Sequence, residues 1–219
     1  MKNQRKIRVM SVILVLCMTM SAFAATASAG PVYSDVDEDD WFYEAVMFVG
    51  DNWSLMNGTG GGKFSPYDDL TRAMLVTILY RWEAEPDMSG VKNPFNDVPN
   101  GEWFSDAVIW AAENEIVNGY GDGRFGPDDY VTMEQLMLII YRWSEDYLPP
   151  AIGAGRPYDD LDEVNEWAYD AVFTLNKLGF FFEFPEGNLF RPQSPACRAE
   201  VAAVLYRYII LVVAANDGE

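Results

Sequence analysis

The chain has 219 residues, with 34 acidic and 15 basic side chains, no histidine and two cysteines. A formal net charge of −19 excludes nucleic-acid binding, which needs a basic patch to displace phosphate counterions, and it argues against docking on anionic lipid. Without histidine, the usual general base, zinc ligand and nucleophile partner are all missing, so no cofactor, metal or catalytic constellation is expected.

The N-terminus reads as a delivery signal. Lys2, Arg5, Lys6 and Arg8 precede an apolar run over residues 9–25, which ends in Ala27-Ser28-Ala29. This is the three-part secretory pattern, predicting a signal peptide over 1–29. The run is short for a bilayer span, which takes about 20 apolar residues. Leu14-Val15-Leu16-Cys17 lacks the small residue expected before a lipidated cysteine. Cleavage removes four basic residues and no acidic ones, so the net charge moves from −19 to −23. Cys197 is then alone, no intrachain disulfide can form, and the fold must rest on its hydrophobic core. The apolar stretch 208–215 is too short to span a membrane and reads as the end of a packed helix, so no membrane insertion is expected.

One pattern then occurs three times. Tyr33-Ser34-Asp35-Val36, Phe95-Asn96-Asp97-Val98 and Tyr158-Asp159-Asp160-Leu161 open the units. Trp41, Trp103 and Trp167 follow, then Ala45-Val46, Ala107-Val108 and Ala171-Val172. Next comes a loop ending in Phe-x-Pro, at Phe64, Phe125 and Phe190, and each unit closes on Tyr-Arg, at Arg81, Arg142 and Arg207. The tryptophans stand 62 and 64 residues apart. The units span 30–84, 92–146 and 155–219, joined by short Pro-bearing linkers that cannot separate independent domains.

Each unit reads as helix, loop, helix. Trp41, Ala45, Phe48 and Val49 fall at helical spacing, as do Trp103, Ala107, Trp110 and Ala111, giving one apolar face. Asn57-Gly58 and Asn118-Gly119 offer left-handed stops. In the second helix Thr132 and Gln135 form a capping box, Thr71 stands at the same place in unit one, and unit three has Cys197 with Glu200. Apolar residues then recur at Leu75, Ile78, Leu79 and Trp82; Leu136, Ile139, Ile140 and Trp143; and Val201, Val204, Leu205 and Tyr208. A two-helix unit cannot bury its apolar face alone, whereas three packed together can. The expectation is an all-α domain of three helix-loop-helix units with pseudo-threefold character.

The order Tyr/Phe-x-Asp-Val, Trp, Ala-Val, then Gly119-Tyr120-Gly121-Asp122-Gly123-Arg124-Phe125-Gly126-Pro127, with Leu70-Thr71-Arg72-Ala73 and Arg198-Ala199-Glu200, resembles the S-layer homology (SLH) motif. The resemblance covers essentially all of residues 30–219. It implies a non-enzymatic module at the cell surface, attached non-covalently to secondary cell-wall polysaccharide, often through a pyruvate ketal, or to modified peptidoglycan. It implies grooves between adjacent motifs and makes Arg72 and Arg198 ligand contacts. A scaffold that has drifted toward a protein partner, such as a separate cargo or envelope chain, is the competing reading.

The physical reading bears on the same residues. Arg72 and Arg198 each fall at the first helical position, where a cation opposes the helix dipole. An anion there would compensate, because free backbone N–H groups favour negative charge and the guanidinium fork matches a carboxylate. The opposing reading pairs each arginine with one of the many carboxylates. Trp41, Trp103 and Trp167 sit on the apolar face and read as core, with an exposed ring edge at a groove as the alternative. Gly58 and Gly119 either let ligand approach the backbone or only permit positive φ. Asp35 and Asp97 of the opening motifs complete the candidate ligand contacts. The acidic runs follow no calcium-loop spacing and read as caps and turns. Unit two carries Met133 where arginine is expected, and the third loop, 180–187, lacks the Gly-x-Gly pattern. Two arginine-bearing sites are therefore expected at most.

Overall fold

The computed structural model describes residues 33–52, 54–181 and 187–216. The signal segment and residues 182–186 of the third loop lie outside the described residues. The protein is all-α, as the periodicity predicts. Unit one holds α1 (Tyr43–Met47), continued by a π-turn over Phe48–Asn52, and α2 (Arg72–Trp82). Unit two holds α3 (Ser105–Glu113) and α4 (Met133–Ser144), and unit three α5 (Tyr169–Lys177) and α6 (Arg198–Asn216). Packing is cyclic: α2 lies on α3, α4 on α5 and α6 on α1. No described helix is long and apolar enough to cross a membrane.

The first helices differ from the expected face by one residue. The helix proper begins two residues after the tryptophan, so the tryptophan sits in the entry turn. The buried row in unit one is Phe42, Ala45, Val46 and Val49, and in unit two Phe104, Ala107, Val108 and Ala111. The row runs i, i+3, i+4 and i+7, a helical face that keeps Ala45, Val49, Ala107 and Ala111 from the expected one and opens on phenylalanine in place of tryptophan. The stops also come earlier than the Asn-Gly pairs. α3 ends at Glu113, and the left-handed residue that turns the chain is Glu115, at φ 60°. Its counterparts are Ser54, at φ 52°, and Gly179, at φ 78°. Only unit three therefore has glycine where the backbone favours it.

The second helices follow the sequence reading closely. Thr71 Oγ1 accepts from Met74 N, and Thr132 and Gln135 make the reciprocal box. In unit three Glu200 Oε2 accepts from Cys197 N at 2.8 Å, so half of the box survives the loss of the threonine. Burial raises the Cys197 thiol pKa to about 12, with the Glu200 carboxylate adding to it, so it stays a neutral thiol. Leu75, Leu79, Leu136, Ile140, Val201 and Leu205 are fully buried. Trp82, Trp143 and Tyr208 meet pairwise at ring-centroid distances of 5.4, 5.9 and 4.6 Å, joining the C-terminal ends of α2 and α4 to the middle of α6 in one aromatic cluster.

The starts of the same helices are closed by backbone. Leu70 N donates to Ala196 O at 3.0 Å, Ala196 N to Val131 O at 2.8 Å, and Val131 N to Leu70 O at 2.9 Å. These three residues are fully buried, and their bonds form a closed ring with one contribution from each unit. Around it, each second helix gives its first amides to the loop of the next unit. Arg72 and Ala73 bond to Asp129 O and Pro127 O, Met133 and Glu134 to Ser194 O and Pro192 O, and Arg198 and Ala199 to Asp68 O and Pro66 O. Helix-end donors that would otherwise be orphaned are thereby satisfied across every junction.

An aspartate holds each of those loops in shape. Asp35 accepts from Phe64 N and Ser65 N, both at 2.8 Å. Asp97 accepts from Phe125 N and Gly126 N, also at 2.8 Å. Asp160 accepts from Phe190 N at 2.7 Å and Arg191 N at 2.6 Å, and it is buried. Burial pushes the Asp35 carboxyl up, but the two amides outweigh it and hold it below its ordinary value. Its share of stability is complete above the unfolded carboxylate pKa of about 3.9 and is lost as pH falls through the lower folded value.

Three substitutions test these contacts. Replacing Asp160 by alanine removes two charge-assisted bonds and strands two amides, at about 3 kcal/mol, read as a lower urea midpoint. Asp35→Ala, on a more accessible carboxylate, costs less. Glu115→Gly relieves a left-handed non-glycine residue and raises stability by about 1 kcal/mol in the same assay.

Candidate functional site

The ring and the exchanged amides put the two motif arginines into equivalent places. Arg72 leaves the first turn of α2 and reaches the unit-two loop. Its Nε donates to Phe125 O at 2.9 Å and its Nη1 to Gln135 Oε1 at 3.3 Å. The guanidinium stands 4.8 Å from the centroids of both Tyr120 and Phe125. Arg198 leaves α6 and reaches the unit-one loop. Its Nε donates to Phe64 O at 2.8 Å and its Nη2 to Asn57 O at 2.7 Å, with the guanidinium 4.5 Å from the Phe64 centroid. Arg72 is 6% exposed and Arg198 half-buried.

Neither arginine forms an ion pair among the described residues. Carbonyl oxygens and aromatic faces do the holding, which fixes the fork without neutralising it. Burial lowers the pKa of both; nearby Tyr120, Asp129 and Asp97 push Arg72 back up, and Asp68, Tyr33 and Asp35 do so for Arg198. An arginine in this setting stays charged. Nη2 of Arg72 and Nη1 of Arg198 donate to no acceptor among the described residues. One part of the sequence argument is corrected. The helix N–H groups are committed to the neighbouring loop, so an anion would meet guanidinium donors and not free helix-end amides.

The third junction is built differently. Met133 is fully buried where the arginine would stand. Glu134 next to it turns its carboxylate to unit three, accepting from Asn165 N at 2.9 Å and Asn165 Nδ2 at 2.7 Å. Arg191, from the third Phe-x-Pro loop, pairs with Glu200. Its cation is met by a carboxylate of the protein itself.

The other candidate residues separate into distinct roles. Asp35 and Asp97 use both carboxylate oxygens on loop amides. Gly119 has φ 65°, and a Cβ there would come within 2.4 Å of Arg124 O and 2.7 Å of the Phe95 ring. Gly58 does not need positive φ; a Cβ would come within 2.6 Å of Lys63 O and 3.0 Å of Tyr33. Both glycines let the loop lie against the aromatic ring that opens its unit. Trp103 is 59% and Trp167 51% exposed, so these two are not core residues, and Trp41 is partly covered beside Phe42. Trp103 also lies away from Arg72, at the C-terminal end of α2 beside Tyr80 and Arg81, about 13 Å along the helix.

Sequence reasoning missed Tyr120, which flanks the Arg72 guanidinium and whose hydroxyl interacts with Asp129. Its place inside the Gly-Tyr-Gly-Asp-Gly loop was the available signal. The acidic runs serve turns. Asp40 Oδ2 accepts from Asp37 N at 2.8 Å, and Asp122 accepts from Arg124 N and Nε.

The S-layer homology domain model matches residues 32–73, 94–136 and 157–202. The chain is similar to a cellulosome-anchoring protein of Acetivibrio thermocellus, 28% identical over 73% of this chain and 36% of that protein. It is similar to an endoglucanase of Bacillus sp. (strain KSM-635), 28% identical over 95% of this chain and 22% of the enzyme. A surface-layer 125 kDa protein of Lysinibacillus sphaericus is 25% identical over 88% of this chain and 16% of its own length. The chain thus spans well under half the length of these relatives. Three tandem matches, each falling on one helix-loop-helix unit of the closed ring, place this chain in the S-layer homology domain family of exported cell-surface proteins.

Proposed function

We propose that the chain attaches to the bacterial cell surface by binding secondary cell-wall polysaccharide without a covalent bond, through an acidic substituent of the pyruvyl-ketal kind. The guanidiniums of Arg72 and Arg198 receive the substituent. One observation carries this reading. In a chain of 34 acidic residues, two equivalent guanidiniums are held by carbonyls and aromatic rings with no carboxylate paired to them among the described residues. A sugar carboxylate supplies the missing partner, in a fork geometry that arginine matches bidentately. Tyr120, which is exposed, offers an aromatic face for the sugar beside Arg72, with Phe125 buried against the guanidinium, and Asp35 and Asp97 hold the loops at both places. Modified peptidoglycan offers the same acidic chemistry.

Attachment also fits the relatives, one of which is named as a cellulosome-anchoring protein. The chain has no catalytic role in this reading; the matched region is a small part of the endoglucanase. The Met133–Glu134 junction favours a second reading, in which that face meets an envelope protein instead of a glycan.

Purified wall sacculi, with and without their secondary polymer, separate the two. Binding falls on removal of the polymer and falls with added salt, since a local attraction must work inside an acidic chain with a screening length of about 8 Å. Arg72→Ala and Arg198→Ala each weaken binding by about tenfold or more, and Arg72→Lys, which keeps the charge but not the fork, weakens it too. Undiminished binding in the double variant, or to polymer-free sacculi, refutes the polysaccharide reading.

A further inference from the structure

The two motif arginines are anchored alike, yet their surroundings differ. The loops that receive them match in length and order, residues 57–66 in unit one and 118–127 in unit two. Their backbones close in the same way: Thr59 N donates to Lys63 O and Tyr120 N to Arg124 O, both at 2.9 Å. The motif aspartates grip the same two amides in each. Among the side chains one pair stands out. Unit two has Tyr120 and Gly126 where unit one has Thr59 and Ser65.

A steric constraint links the two members of that pair. Gly126 stands at φ 73°, and a Cβ there would come within 2.6 Å of Tyr120 Cε2 and 2.4 Å of Asp129 Oδ2. The phenol ring therefore lies against the Gly126 α-carbon, with its hydroxyl interacting with Asp129, and a larger residue at 126 would push it off. Ser65 takes the same left-handed conformation, at φ 58°. Its hydroxyl meets Thr59 Oγ1 at 2.7 Å, so the serine suits a short neighbour and not a ring placed as Tyr120 is.

The consequence falls on the arginines. Arg72 has two rings against its guanidinium, Phe125 and Tyr120, whereas Arg198 has Phe64 alone among the described residues. Phe125 and Phe64 are buried and serve the cation only, but Tyr120 is 43% exposed. It touches the guanidinium and still presents apolar ring area to solvent. We propose, on the basis of the attachment reading above, that Tyr120 makes the two sites unequal in specificity: Arg198 reads a carboxylate alone, and Arg72 reads a carboxylate together with the sugar ring that carries it. Specificity is a difference of affinities, and the ring contact adds to the affinity for a glycan-borne acid at one site only.

The test follows the Nε–H resonances of Arg72 and Arg198 separately in the purified chain, at constant ionic strength, with two probes. One is a pyruvylated disaccharide, and the other is propanediol pyruvate ketal, the same acid group without the sugar. At each arginine the ratio of the two midpoints measures what the sugar ring adds. That preference for the disaccharide is expected to be larger at Arg72 than at Arg198 by about fivefold or more, the range of one aromatic contact. Tyr120→Thr brings the Arg72 ratio down to that of Arg198, and an unchanged response at Arg198 shows that the fold is intact. The Thr59→Tyr, Ser65→Gly double variant moves the preference the other way, raising the ratio at Arg198. Equal ratios at the two arginines, or an Arg72 ratio that survives Tyr120→Thr, overturn the role of Tyr120 and leave attachment standing, since the sugar still shifts both. A disaccharide that shifts neither arginine overturns both readings.

Discussion

Leu70, Val131 and Ala196 each donate one amide hydrogen to the preceding unit around the cycle, and the three bonds close on themselves. The ring needs a residue from every repeat, so no single unit can satisfy it. Because it lies two residues before each second helix, it also fixes where that helix begins. The first two amides of the helix then reach the neighbouring loop, and the side chain at the first helical position is carried across the junction. Arg72 and Arg198 stand over Phe125 and Phe64 for this reason. Further along, Trp82, Trp143 and Tyr208 join the same three helices. The three helices are thus tied twice, by hydrogen bonds at their starts and by aromatic packing about ten residues further on.

This construction settles an electrostatic conflict. A guanidinium at a helix N-terminus opposes the dipole, and a strongly acidic protein offers many carboxylates to neutralise it. Instead the arginines are held by the carbonyl of the Phe-x-Pro phenylalanine and by aromatic faces. The Asp35 and Asp97 carboxylates, close enough to influence the arginines, are occupied by loop amides. Charge is kept and geometry is set in advance, which lowers the ordering cost of binding. The junction of units two and three shows the alternative outcome. There Arg191 meets Glu200 and Glu134 meets Asn165, so the polar groups are satisfied internally.

Much of this was readable from sequence because it depends on spacing. The repeat, the all-α class, the Thr132 capping box and the apolar rows of the second helices are periodic or local. In the first helices only the opening residue of the face was misread. A tryptophan in the entry turn resembles the first member of an apolar face, and only the burial of Phe42 and Phe104 separates them. The stops at Ser54 and Glu115 carry no glycine and gave no sign of a left-handed turn. What holds Arg72 could not be read locally either. Phe125 lies 53 residues away, and its carbonyl is brought to the arginine by the ring. The loop aspartates had the same disguise: in sequence they resemble ligand contacts, and in the fold they clamp backbone.

The central claim is that two guanidiniums, one buried and one half-buried, are preset for an acidic sugar and lack only the anion. Nitrogen-edited spectra of the arginine Nε–H groups, recorded while a pyruvylated disaccharide is added, address it directly. The account predicts saturable shifts at Arg72 and Arg198 with Arg81, Arg142 and Arg207 unmoved. Binding that leaves both motif arginines unmoved would contradict it.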